Sequence, residues 1–262
     1  MQTITLDKQW LLTGKIAIVA GGIGRDMVLT LPRQGAKVPF GCVSPSSKAH
    51  AEALVCEIES LGSSAHAIEA DAACLSFPAA ATSSSLTAFN ISHLNILANN
   101  AGLGSAGTRI EEITGDEFDK IRAVNVHAVI FMIQEFIPYA HRGGRIVNLP
   151  SISARGGYAT QSVYSASKAA FEALTRIWAT ELRQKYNITV NAVSLGPVGT
   201  DMHRAAGEVQ PARMEEQNMN TPAAPRLGTE DNVAELVVFL CEERSSWITG
   251  DVVCANGGRL YT

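Results

Sequence analysis

The stretch Ser151-Ile-Ser-Ala-Arg-Gly-Gly-Tyr-Ala-Thr-Gln-Ser-Val-Tyr164-Ser-Ala-Ser-Lys168 follows a short apolar run, Gly144 to Leu149, and leads into Ala169, Ala170, Leu174 and Ile177. The run reads as a buried strand and the later recurrence as a helix, so the stretch is a strand-to-helix crossing that carries polar groups. Tyr164 and Lys168 are four residues apart and share one helix face. An ammonium about 4 Å from a phenol, at an effective dielectric of about 20, is worth roughly 4 kcal/mol, or about three pKa units. The spacing therefore predicts a tyrosine able to exchange a proton near neutral pH.

The same alternation extends in both directions. Lys15 to Ala20 reads as a first strand feeding a helix over Arg25 to Gln34, and Gly35 to Phe40 as a second strand. A helix over Ser46 to Leu61, a third strand over Ala65 to Ala70 and a fourth over Leu94 to Ala98 follow. Thr114-Gly-Asp-Glu117 is a capping box that opens a long helix to about Tyr139, with Asn125 among its apolar residues. Ile188 to Val193 and Ile248 to Cys254 supply the last two strands. Strands alternating with helices call for a doubly wound α/β fold, a parallel sheet covered on both faces, with ligands at the carboxyl ends of its strands.

Bulk properties exclude several classes. The 262 residues suit one large α/β domain, and 46% hydrophobic with 18% charged residues is a globular composition. A net charge of −4 gives no footprint for nucleic acid or an anionic membrane surface, so neither is expected as a partner. Five dispersed cysteines and six histidines without ligand spacing predict reduced thiols and no metal site. Met1 to Lys15 lacks the pattern of a cleaved leader, and no run of eighteen apolar residues occurs, so a cytoplasmic location is expected.

At the level of motifs the chain resembles the short-chain dehydrogenase/reductase family. Tyr164-Ser-Ala-Ser-Lys168 matches its Tyr-x-x-x-Lys, Ser151 stands thirteen residues upstream where the catalytic serine belongs, and Asn125 matches the catalytic asparagine. Asn99-Asn100-Ala101-Gly102 and Gly196-Pro197-Val198-Gly199-Thr200-Asp201-Met202 match two further motifs. The resemblance spans about Leu11 to Gly258. It implies a single Rossmann-type domain over 1–262, with seven strands in the order 3-2-1-4-5-6-7. Residues 11–110 would form a dinucleotide-binding half and 111–262 a catalytic half, with a substrate lid at about 201–229. Ser151, Tyr164, Lys168 and Asn125 are the implied catalytic residues, and a homodimer or homotetramer is implied as well. His203, Met214 and Met219 are candidate pocket residues by position in the lid. Asn125 can also be read as a satisfied core amide.

The implied cofactor contacts are Gly21, Gly22, Ile23, Gly24, Ser44, Asp71, Asn99, Ala101, Gly102, Tyr164, Lys168, Pro197, Val198 and Thr200. The region after the second strand, Phe40 to Ser44, has no acid to repel a 2′-phosphate, which favours NADP(H) over NAD(H). Asp71 reads equally as a turn-capping residue. The glycine-rich turn Ala20-Gly21-Gly22-Ile23-Gly24 is three residues shorter than the family's pattern, about 10 Å of contour. Pro32, Pro39, Asn95 and Asn256 are further departures. The expected activity is NADP(H)-dependent interconversion of a ketone and an alcohol in a small-molecule substrate. The tail, Trp247-Ile-Thr-Gly and Asn256-Gly-Gly, is similar to polyhydroxynaphthalene and 3-oxoacyl-carrier-protein reductases, which suggests a polyketide-like compound. The shortened turn supports an alternative, a non-redox isomerase, dehydratase or cyclase using Ser151 and Tyr164 for proton transfer; a catalytically inert binding protein is a third reading.

Overall fold

The computed structural model describes residues 11–20, 25–42, 45–200, 202–204 and 211–261. Seven strands form one sheet: β1 (Ala17–Ala20), β2 (Val38–Cys42), β3 (Ala65–Glu69), β4 (Leu94–Asn99), β5 (Ala140–Asn148), β6 (Thr189–Leu195) and β7 (Val252–Ala255). Every pairing is parallel and the order is β3-β2-β1-β4-β5-β6-β7, as expected.

Alternation along each strand divides the core in two. Ala17 and Val19 face one side with α1 (Arg25–Arg33), α2 (Pro45–Ser60) and α7 (Glu230–Cys241); the cluster includes Leu29, Leu54 and Val237. Ile18 and Ala20 face the other with α3 (Phe77–Phe89), α4 (Gly115–Tyr139) and α5 (Ser162–Tyr186), around Phe77, Phe136 and Phe171. A period of two sends successive side chains to opposite faces, so one short strand serves both layers. The remaining described helix of more than one turn, α6 (Pro211–Met219), lies in the expected lid.

By length and composition α4 could cross a membrane. Its apolar face is already used, because Ile121, Val124, Val129, Met132, Ile133 and Phe136 are buried. Thr114 caps it through Glu117 N, as expected. The sequence did not reveal a π-helical turn, Ala123–His127, in its middle. Such turns widen a helix and recur at functional sites.

Pro39 does lie in an interior strand, and the structure absorbs it. Val38 N donates to Ser64 O on the β3 side, whereas Lys37 N donates to Lys15 O on the β1 side. Alternation then directs the missing Pro39 donor toward β1, where pairing is present at Ile16↔Lys37 and again at Val19↔Phe40. The pairing of β2 with β3 runs unbroken from Val38↔Ala65 to Cys42↔Glu69. Pro32 sits one residue before the end of α1, where it ends the helix rather than kinking it.

Candidate active site

Four strand ends converge on one edge of the sheet. Asn100 N and Ala101 N both donate to Ala20 O, which pins the segment after β4 to the end of β1. Leu149 N donates to Asn99 O, and Ser151 pairs with Leu195, so β5 carries its serine alongside β6. Beneath this edge a polar chain crosses the sheet: Asn99 Nδ2 donates to Asn148 Oδ1 (2.8 Å), Asn148 Nδ2 to Thr175 Oγ1 (2.9 Å), and Thr175 Oγ1 to Phe171 O (2.7 Å). Asn99 and Asn148 are buried, and their mutual bond fixes β4 against β5.

Ser151, Tyr164, Lys168 and Asn125 are brought together. Ser151 is close enough to the Tyr164 phenol to lower its pKa, and its Oγ accepts from Ser153 N at 3.2 Å. Lys168 is buried, with Nζ 5.8 Å from the Tyr164 ring centroid and 4.7 Å from that of Phe171. Its ammonium donates to Leu149 O at 3.0 Å. Asn125, on the π-helical turn, is fully buried and uses both ends of its amide: Oδ1 accepts from Leu103 N (2.7 Å), while Nδ2 donates to Leu103 O (3.0 Å) and Ser167 Oγ (3.0 Å). Ser167 Oγ in turn donates to Tyr164 O (2.6 Å). Asn125 thereby ties the segment after β4 to the first turns of α5.

The electrostatics correct one expectation. Burial raises the Tyr164 phenol above its ordinary value, and Ser151 offsets this in part. Burial pushes the Lys168 ammonium down to about 8. The spacing argument placed the charge about 4 Å from the phenol in a high dielectric. Here the lysine reaches past the ring to Leu149 O, and desolvation dominates for both groups.

The loop between Ser151 and Tyr164 is pinned at two further points that the sequence did not signal. Ser153 Oγ donates to Gln161 Oε1 at 2.8 Å, and Arg155 Nε donates to Glu172 Oε2 at 2.7 Å. Glu172 lies one turn beyond Lys168 and is buried. Nearby, Ser105 Oγ donates to Thr160 O, and a Cβ on Gly104 would stand 3.5 Å from Met202 Cγ, so Met202 rests against this loop cluster.

Other expected contacts fall as follows. Pro197 O accepts from Gly228 N, Val198 is buried and pairs with Gly228, and Thr200 Oγ1 accepts from His203 N at 3.3 Å. Asp71, at the carboxyl end of β3, accepts from Ala73 N at 2.8 Å, the turn-capping role. His203 is half-buried and Met219 is largely exposed. Gly21, Gly22, Ile23, Gly24 and Ser44 lie outside the described residues, as does the side chain of Met214.

A family model described as enoyl-(acyl carrier protein) reductase matches residues 18–259. The short-chain dehydrogenase/reductase FrzI of Cladobotryum sp is 39% identical over 255 residues, 94% of this chain and 96% of its own. The chain belongs to the short-chain dehydrogenase/reductase family. Among solved members, a blue fluorescent protein from a metagenomic library, in complex with NADPH, is 34% identical with a TM-score of 0.87 and covers 96% of this chain and 100% of its own. A short-chain dehydrogenase from Burkholderia cenocepacia J2315, in complex with NADP, is 36% identical with a TM-score of 0.84, covering 95% of this chain and 98% of its own.

The nicotinamide end of a dinucleotide site fits the described residues. The buried Lys168 ammonium has three N–H donors and one acceptor, Leu149 O, which leaves donors for the hydroxyls of a ribose. Gly102 lies beside it without a side chain, and a Cβ there would approach Nζ to 3.2 Å. Ser167, Asn148 and Thr175 are the site residues that sequence reasoning missed. A small polar residue three positions after Tyr164, inside the motif, was the available signal for Ser167.

Proposed function

We propose that this oxidoreductase uses NADP(H) to interconvert a ketone and an alcohol, on a polyketide-like or related small molecule. The observation that carries the reading is the buried Lys168 ammonium standing 5.8 Å from the Tyr164 ring, with Ser151 acting on the same phenol. NADP(H), when bound, supplies or accepts the hydride. Ser151 donates to the substrate oxygen and holds it against Tyr164. The phenol, kept protonated by burial, gives its proton to the developing alkoxide, which suits the reductive direction at neutral pH. Lys168 holds the ribose hydroxyls and places positive charge beneath the oxygen as it gains charge. Asn125 keeps Leu103 and the first turns of α5 in register and, by resemblance, links Lys168 to solvent.

NADP(H) rather than NAD(H) is supported by the absence of an acid between Phe40 and Ser44 and by the NADPH and NADP complexes of the two solved members. The non-redox alternative rested on the shortened turn, and relatives named dehydrogenases and reductases do not favour it. Assembly as a homodimer or homotetramer through the outer faces of α4 and α5 is supported by Phe118, Phe131 and Ile177, each more than a third exposed.

The test is calorimetric titration with NADPH and NADH, followed by loss of NADPH absorbance over a panel of ketones. NADPH binding and turnover that Tyr164→Phe abolishes are expected. Cofactor-free, Tyr164-dependent conversion of a substrate would overturn the reading in favour of the isomerase class.

A further inference from the structure

The opposite end of the sheet carries a second cluster of chemistry. His93 immediately precedes β4 and His141 is the second residue of β5, so the two side chains stand at the amino ends of neighbouring parallel strands, away from Ser151. Forty-eight positions separate them in sequence, which hid them from any reading of ligand spacing.

An irregularity in the sheet presents one to the other. Between the pairs Leu94↔Ala140 and Ile96↔Arg145, β4 advances two residues and β5 advances five. The extra length bulges out through His141, Arg142 and Gly143, with Gly143 at φ +93, a left-handed conformation that favours glycine. A Cβ on Gly144 would crowd both His141 O (3.1 Å) and Asn95 O (3.2 Å), so a side chain there would push the backbone apart where the bulge closes back onto β4. Bulges of this kind re-aim side chains. Both histidines are exposed.

Their rings are tilted by 49° with centroids 5.2 Å apart. A zinc–nitrogen bond of 2.0–2.1 Å puts the ion roughly 3.2 Å from each ring centroid, so two imidazoles on one tetrahedral ion have centroids roughly 5 Å apart. The observed centroid separation matches that arrangement, and coordination further requires each ring to turn a nitrogen toward the ion, a rotation that the exposed side chains leave open. Arg142, the nearest charged residue in sequence, donates to Lys185 O at the end of α5, which directs its guanidinium toward that helix.

We propose that His93 and His141 form a binding site for a borderline divalent ion of the Zn²⁺, Ni²⁺ or Cu²⁺ class, remote from the catalytic centre. Imidazole nitrogen suits these ions, whereas Mg²⁺ and Ca²⁺ require oxygen ligands. No cluster of three or more His, Cys, Asp or Glu occurs among the described residues, so water completes the coordination and the ion exchanges readily. Bound there, the ion links the start of β4 to the start of β5 and stabilises the native state by mass action.

The test uses full-length protein stripped with a chelator and titrated with ZnCl₂ by calorimetry. One equivalent is expected, with no response to MgCl₂. His93→Gln and His141→Gln should each weaken binding by at least about tenfold, the scale of loss that even outer ligand partners cause. ZnCl₂ should raise the melting temperature of the parent and leave that of both variants unmoved. With one equivalent of Cu²⁺, electron spin resonance should report two imidazole nitrogens, falling to one in either variant. Absence of a Zn²⁺ response in the parent, or undiminished binding in both variants, overturns the proposal and assigns any bound ion to adventitious sites.

Discussion

Lys168 is an ammonium placed where water cannot solvate it, and that has a measurable consequence for folding. Burial holds its pKa at about 8 in the folded protein against an ordinary 10.5. In the unfolded chain the amine keeps its proton up to that ordinary value, so between about pH 8 and 10.5 the unfolded state binds more protons and stability rises with pH. Each pH unit in that window is worth about 1.4 kcal/mol, or about 3 kcal/mol across it. Below about pH 8 both states are protonated, and the full desolvation cost is borne by the native state. Lys168→Met removes the ionisation with little change in volume. It also removes the donor to Leu149 O, but that loss is independent of pH and shifts the whole curve without changing its slope. The assay is urea unfolding of parent and variant at about pH 7, 8 and 9.5, below the ionisation of most tyrosines. The parent should gain about 2 kcal/mol over the variant between pH 8 and 9.5. Parallel pH dependence in the two proteins would refute the argument, because it would mean that the folded lysine titrates like an exposed one.

Ser151→Ala removes the hydroxyl that lowers the Tyr164 pKa, so the alkaline limb of the ketone-reduction rate should move to higher pH while kcat falls; a full pH-rate profile checks the sign. Arg155→Met leaves the Glu172 carboxylate buried without its ion-pair partner and should cost about 3 kcal/mol by urea unfolding at pH 7, whereas Glu172→Gln, which removes the buried charge and leaves Arg155 at the surface, should cost less. Pro39→Val restores a donor facing β1, worth about 0.5–1.5 kcal/mol, but returns about 0.4–1 kcal/mol of freedom to the unfolded chain. The melting temperature should therefore stay within a few degrees of the parent's, and a large rise would show that the proline is a liability.

Legibility followed locality. Ser151, Tyr164 and Lys168 lie on one strand-loop-helix crossing, so the distances that bring them together are short along the chain; spacing alone paired Tyr164 with Lys168, and the family motif added Ser151. Asn125 came from a motif, but its clamp on Leu103 and Ser167 depends on a π-helical turn whose altered backbone bonding leaves no periodic trace in side chains. Helices α3 and α7 carried no assignment. In α3, the stretch Thr82 to Ser85 looks like loop composition, yet Thr82 and Ser85 are buried and Ser85 Oγ donates to Ala81 O, so a hydroxyl acts as a small core residue. The capping box of α7 has Asn232 at the position where Glu or Gln is the usual signal. The sign of the Tyr164 shift was out of reach, because two residue types and a spacing give a Coulomb attraction, while the desolvation opposing it depends on how much of the fold closes around both groups.

The other departures from the family pattern bear on how the shortened turn is understood. Asn95 Oδ1 accepts from Ile16 N at 2.9 Å, a bond that a carboxylate would also accept, but at a buried position the amide does so without desolvating a charge. Asn256 accepts from Gly258 N and donates to Leu260 O, and an ionised aspartate could not make the second bond. Pro39 falls where β1 and β2 pair sparsely, and Pro32 where a helix ends. Each departure is thus matched by its surroundings, and none of them touches the convergence of Lys168, Gly102 and the end of β5. The case for altered cofactor chemistry then rests on Gly21 to Gly24 alone. If NADPH binds weakly, the deficit belongs to that turn, where each lost hydrogen bond to a charged phosphate is worth about 1.5–3 kcal/mol, and a three-residue insertion between Gly21 and Gly22 should recover it.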